Sequence, residues 1–239
     1  MFYFLLPTLM SFNLFLVAAA VIPAVFLMIK VYRSDRLEQE SASMIWTLVK
    51  AGILSSLIAL VAERVLSAVL NLILPGGSVL YNVILYFGIV AFAEEGAKYF
   101  VLKYRTWNSP EFNCQYDGVV YAVFVSLGFA LWENISYVMA YGFSTAIVRA
   151  VTAIPGHASF GVFMGVFYGL AKKYERIGNP AGSKTCRTLS VVVPAILHGA
   201  YDYIATSQTG EWIFLIFIAL LFAASFALVN KASKNDQFI

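Results

Sequence analysis

Residues 91–100 read Ala-Phe-Ala-Glu-Glu-Gly-Ala-Lys-Tyr-Phe, in the middle of an apolar run that extends over 79–102. About 20 apolar residues in a helix cross a hydrocarbon core roughly 30 Å thick. Glu94, Glu95 and Lys98 therefore fall at membrane depth. There each charge costs about 2.5–3.5 kcal/mol on insertion scales, and such groups face a protein interior or a water-filled cavity. Helix spacing offers a purely structural account of part of the set. Glu94 and Lys98 at i,i+4, or Glu95 and Lys98 at i,i+3, share a face and can pair. One glutamate is left over, and a surplus carboxylate at this depth points to function.

The rest of the chain has the same character. Of its 239 residues, 61% are hydrophobic and 12% charged, and the mean hydropathy is +0.79. That balance excludes a soluble domain and predicts an all-α, polytopic membrane bundle forming a single domain over 1–239. The net charge of +3 does not point to nucleic acid, because the basic residues collect between apolar runs. Cys114 and Cys186 are far apart, with no CxxC or zinc-type spacing, and read as free thiols.

Seven apolar runs succeed one another: 1–29, 44–74, 79–102, 118–141, 144–171, 188–206 and 211–230. Ala18–Ala20 imitates a signal-peptidase site, but the positive charges Lys30, Arg33 and Arg36 come after the first run instead of preceding it, which favours an uncut span. In the second run, Lys50 is near an end and can snorkel, whereas Glu63 and Arg64 lie deeper, within reach of the far interface. Pro155-Gly156 interrupts the fifth run just before His157, which predicts freed backbone groups beside that imidazole. The longest basic loop is 172–187. Lys and Arg concentrate in the first, third and fifth loops and the tail, so the N-terminus is expected outside and the C-terminus in the cytoplasm. Cys186 should then be labelled only after the membrane is made permeable.

Five ionisable residues on four spans lie in the middle half of their runs: Glu94, Glu95, Glu133, His157 and His198. Asp202 stands at i,i+4 from His198, where a carboxylate can orient an imidazole. Asn134 can donate to an oxyanion or make an interhelical hydrogen bond. Small residues at Gly156, Ala158, Gly161 and Gly165 favour close helix packing. These groups are expected to line one interior cavity. Two chemistries fit. In one, a glutamate is the general base on water and histidines move protons or steady the oxyanion. In the other, zinc activates the water, with His157, His198 and Glu133 as candidate ligands. There is no His-Glu-x-x-His, Gly-x-Ser-x-Gly or Gly-x-Gly-Asp. Buried Glu/His chains also serve proton-coupled transporters, although the two halves show no repeat. A non-catalytic scaffold would leave the charges without a purpose.

Glu94-Glu95-x-x-Lys98, Phe129-x-x-x-Glu133-Asn134, His157 with Gly161 and Gly165, and His198-x-x-x-Asp202 together resemble the motifs of the PrsW family, over about 85–205. The resemblance implies a bacterial multi-pass membrane protease that cuts a membrane-anchored single-pass substrate. In the best-known member this is the first cut of an anti-sigma factor. Partners are then that substrate and the lipid bilayer, with oligomeric state left open. The family is distantly similar to the CAAX-type and bacteriocin-immunity-type membrane proteases, and that similarity assigns Glu94 as base and Glu95 as its partner or the mate of Lys98. Lys98 and Glu133 stand where those proteases have arginine and histidine, which leaves both the glutamate and the metal-dependent readings open.

Overall fold

The structure, a computed structural model, describes residues 2–207 and 211–239. Seven membrane-length spans are built from α1 (Phe2–Arg33), α2 (Ala42–Ile73), α3 (Val79–Val83) running through a π-helical segment Ile84–Val90 into α4 (Ala91–Thr106), α5 (Asp117–Tyr141), α6 (Phe143–Val151) with α7 (Ala153–Arg176), α8 (Pro180–Thr206) and α9 (Glu211–Lys234). Met1, where the first run is expected to open, and the connection 208–210 lie outside the described residues. Among the described residues there is no strand, only a single bridge between Cys114 and Phe238.

α5 is the axis of the bundle, in contact with α1, α2, α4, α6 and α7, and buried without interruption from Asp117 to Ala130. In lipid, helices gain nothing from leaving water, so close van der Waals approach must hold them together. Glycines provide it. On α2, a Cβ added to Gly52 would strike the carbonyl of Val125. Gly128 on α5 faces Val49 and Gly52 in return. On the opposite side, Gly165 of α7 lies on the backbone of Gly118 and Val119, and Gly161 lies on Ala122 and Val123. Ser126 Oγ then donates to the His157 carbonyl (2.7 Å), locking α7 to α5 beside the site.

Two expectations about punctuation are corrected. The fifth run breaks at Thr152 (φ −120°, ψ −71°), not at Pro155. Pro155 is the third residue of α7, in the first turn, where amides lack intrahelical acceptors and its missing N–H costs little. His157 therefore sits one turn inside a regular helix. The stretch 172–187 is mostly helix, not loop. Lys, Arg and Glu are good helix formers, so α7 and α8 run past the apolar region. They meet through Ile177-Gly178-Asn179, with Gly178 at φ +73° and the Asn179 side chain accepting from Gly182 N (2.9 Å) ahead of Pro180.

Both cysteines are free and buried, which removes Cys186 as a topology reporter. Thr185, one residue away and exposed, replaces it. A Thr185→Cys variant should react with an impermeant thiol reagent only in permeabilised cells; labelling of intact cells would invert the orientation. Gly165→Ala should cost about 1–3 kcal/mol through overpacking against α5, read as a lower melting temperature in detergent.

Candidate active site

α4 brings Glu94, Glu95 and Lys98 to the bundle interior, where all three are buried and Glu95 and Lys98 fully so. An ammonium has three N–H donors and no acceptor, and all three of its donors find partners. Lys98 Nζ donates to Glu95 Oε1 (2.7 Å), Glu94 Oε2 (3.3 Å) and His157 Nδ1 (3.1 Å). The Phe129 ring of α5 lies beneath it, 4.1 Å from Nζ to centroid, adding the attraction of an aromatic face for a cation.

That arrangement fixes the His157 tautomer. Because the ammonium can only donate, Nδ1 accepts, and the proton resides on Nε2, which donates to Glu133 Oε2 (2.8 Å). Glu133 also pairs with Arg149 (3.0 Å) from α6. On the other side, His198 Nδ1 donates to Glu95 Oε1 (3.0 Å) and lies 3.8 Å from Glu94 Oε2, while its Nε2 faces Asp202 Oδ2 at 3.5 Å. Phe160 stacks on the His198 ring, centroids 4.7 Å apart, and the two imidazoles meet edge to face at 5.5 Å. Glu95 Oε2 is buried with no hydrogen-bond partner among the described residues.

Glu94, Glu133, His157, His198 and Asp202 line one cavity of about 340 Å³. Glu94 and Glu133 also border an adjoining cavity of about 210 Å³. Glu95 and Lys98 stand behind this wall. Asn134 faces elsewhere: its Nδ2 donates to the Ala20 carbonyl of α1 (2.8 Å) and its Oδ1 accepts from Arg149 Nε (2.8 Å). The amide thus steadies Arg149, and through it Glu133, by an interhelical bond.

Sequence reasoning misses two residues of the cavity. Glu63 of α2 lines both cavities, although along its run it is also within reach of the interface. It is an intramembrane carboxylate by the same criterion as Glu94, and that signal is present in the sequence. Arg149 is a basic residue inside the fifth apolar run, which is also a recognisable sign.

The fold and site define a multi-pass membrane protein with a carboxylate- and imidazole-lined chamber among its helices. A family model described as "PrsW family intramembrane metalloprotease" matches residues 40–229, and the chain belongs to the PrsW family. It is 33% identical to Protease PrsW of Bacillus subtilis (strain 168) over 219 residues, covering 92% of this chain and 94% of that protein. It is also 33% identical to Protease PrsW of Geobacillus kaustophilus over 211 residues, 87% of this chain and 88% of that one. With Protease PrsW of Clostridioides difficile it shares 29% over 235 residues, 95% and 94% of the two chains. No solved structure matches. The chain is a multi-pass bacterial membrane protease; the relatives are named as proteases, not carriers.

The family description implies a metal. Glu94, Glu95 and His157 offer ligand atoms within 4.8 Å of one another, a donor set zinc accepts, and Glu95 Oε2 is unpartnered. The Lys98 ammonium, however, already bonds all three. As arranged, the residues fit a resident ammonium, and a divalent ion would have to displace it.

Removing one partner of a buried pair costs about 3–5 kcal/mol. Lys98→Met should destabilise the protein by that amount, and Glu95→Gln added to it should recover most of the loss, measured by unfolding in detergent. An additive double variant would show that the two side chains are not coupled.

Proposed function

We propose that the chain hydrolyses a peptide bond of a membrane-anchored protein inside the larger cavity, with Glu94 as the water-activating base. One observation carries this assignment: of the paired glutamates, Glu94 faces the cavity, whereas Glu95 is held by Lys98 and His198 behind it. A water beside Glu94 gives its proton to the carboxylate as its oxygen attacks the substrate carbonyl carbon. The negative charge that develops on the carbonyl oxygen is met by Arg149, which lines the same cavity, an arrangement that acts at the transition state. The C–N bond then breaks, and the proton returns from Glu94 to the departing amine. His198, between Glu95 and Asp202 at the cavity wall, assists that transfer. Glu133 and His157 hold Lys98 and Arg149 in register. The catalytic part is 85–205 of a single membrane domain.

The substrate is a single-pass protein, and an anti-sigma factor cut first at the membrane is the form the family resemblance suggests. Depth supports it. Glu133 lies about 16 residues beyond the start of α5, roughly 24 Å at 1.5 Å per residue, on the side away from the basic loops. In the expected orientation that is the outer half of the bilayer.

Glu94→Gln should fold and insert normally yet lose ~10²–10⁴-fold in cleavage, the usual size of general-base catalysis. Asp202→Asn, which loosens an imidazole without removing it, should lose about tenfold or less. The assay is purified protein with a single-pass substrate and mass spectrometry of the products. A chelator should leave the rate unchanged; loss of cleavage restored by zinc would replace this reading with a metal held by Glu94, Glu95 and His157.

A further inference from the structure

At the end of the bundle remote from the cavity, a second group of carboxylates is packed together. Asp35 and Glu40 come from the α1–α2 connection and Asp117 from the first turn of α5, and all three are buried. Each offers an oxygen within 4.8 Å of the others. No ion pair joins any of them to Lys or Arg among the described residues.

Packed carboxylates alone do not make a site, but two further groups point the same way. Asp35 is only 6% exposed, and neither of its oxygens has a hydrogen-bond partner. Tyr121, from the next turn of α5, is fully buried with its hydroxyl beside Glu40. Buried polar atoms without partners are rare in folded proteins, because each forfeits its hydration. Asp117 shows the contrast: its Oδ2 accepts from the amides of Asn113 (3.0 Å) and Cys114 (2.7 Å). Asp236 of the C-terminal tail is held in the same way by Tyr116 N (2.8 Å), and its other oxygen is buried and free.

We propose that Asp35, Glu40 and Asp117 hold a hard divalent cation, of the Mg²⁺, Ca²⁺ or Mn²⁺ type, with Tyr121 and Asp236 beside it. An all-oxygen donor set with no imidazole or thiolate selects hard cations over zinc or copper. A cleft of about 270 Å³ lined by Glu38, Glu40, Ser41 and Glu111 leads to Glu40 from the surface. Its acidic walls attract the same ions. The ion ties the α1–α2 connection to the start of α5, next to the segment where Gln115 N bonds the Gln237 carbonyl (3.0 Å) and Ile239 N bonds the Asn113 carbonyl (2.7 Å).

The test is Mn²⁺ binding to the purified, metal-stripped full chain in detergent, monitored by electron paramagnetic resonance. Wild type should bind one Mn²⁺ per chain, displaced by Mg²⁺ or Ca²⁺. Asp35→Asn with Glu40→Gln should weaken that binding by about tenfold or more, since affinity depends on ligand charge, whereas Glu94→Gln should leave it unchanged. Melting provides the second readout. Divalent cations should raise the wild-type melting temperature but not that of Asp35→Asn, and in chelator Asp35→Asn should melt at or above wild type, because it removes an unpartnered charge. Absence of bound Mn²⁺ in wild type, its retention in the double variant, its loss in Glu94→Gln, or a lower melting temperature for Asp35→Asn in chelator would each overturn the proposal.

Discussion

The Lys98 ammonium is the constraint on which the catalytic end of the bundle depends. It has three protons, and they go to Glu94, Glu95 and His157, so one nitrogen sets the positions of two carboxylates and the tautomer of an imidazole. Through His157 the arrangement reaches Glu133 and Arg149, and through Glu95 it reaches His198 and Asp202. Five carboxylates (Glu63, Glu94, Glu95, Glu133 and Asp202) thus share an apolar interior with two fixed cations, Lys98 and Arg149. Removing either cation from such a set is costly, because the carboxylates left behind lose their compensation and not merely a contact.

The scaffold lets this network be rigid. The glycines of α2, α5 and α7 bring backbones together where side chains would separate them, and Ser126 fixes α7 at His157. On the other flank, α8 approaches the π-helical segment so closely that a Cβ on Gly199 would strike Phe87. A π-helical segment inside a helix alters the rotational phase of the residues beyond it. Here it ends four residues before Glu94, so the direction in which the paired glutamates point depends on it.

Much of this is legible in the sequence, and the reasons for the remainder are physical. Charges in apolar runs announce themselves, which makes Glu94, Glu95, Lys98, Glu133 and both histidines readable, and seven runs of spanning length give the helix count. Which glutamate of the pair faces the cavity is not readable from spacing, because adjacent residues diverge by about 100° and the π-helical phase has no signature in Ile-Leu-Tyr-Phe-Gly-Ile-Val. Distance along its run leaves Glu63 within reach of an interface, and only its rotation about the helix axis turns it toward the cavities. The helical extensions over 172–187 pass for a loop when charge is taken as punctuation. Gly178-Asn179-Pro180 is the true stop-and-start signal.

Chain order gives the Glu94–Glu95–Lys98 turn a role during biosynthesis. The ribosome delivers these residues before α5, α7 and α8 exist, so when the third span enters the membrane Glu133, His157 and His198 are not yet there to receive it. A lone charge at that moment would face the full penalty of the bilayer. Spacing of three and four residues lets the lysine meet its carboxylates within a single helical turn, so the segment enters the membrane already partly neutralised. The histidines, arriving later, inherit an ion pair whose geometry the helix has already set.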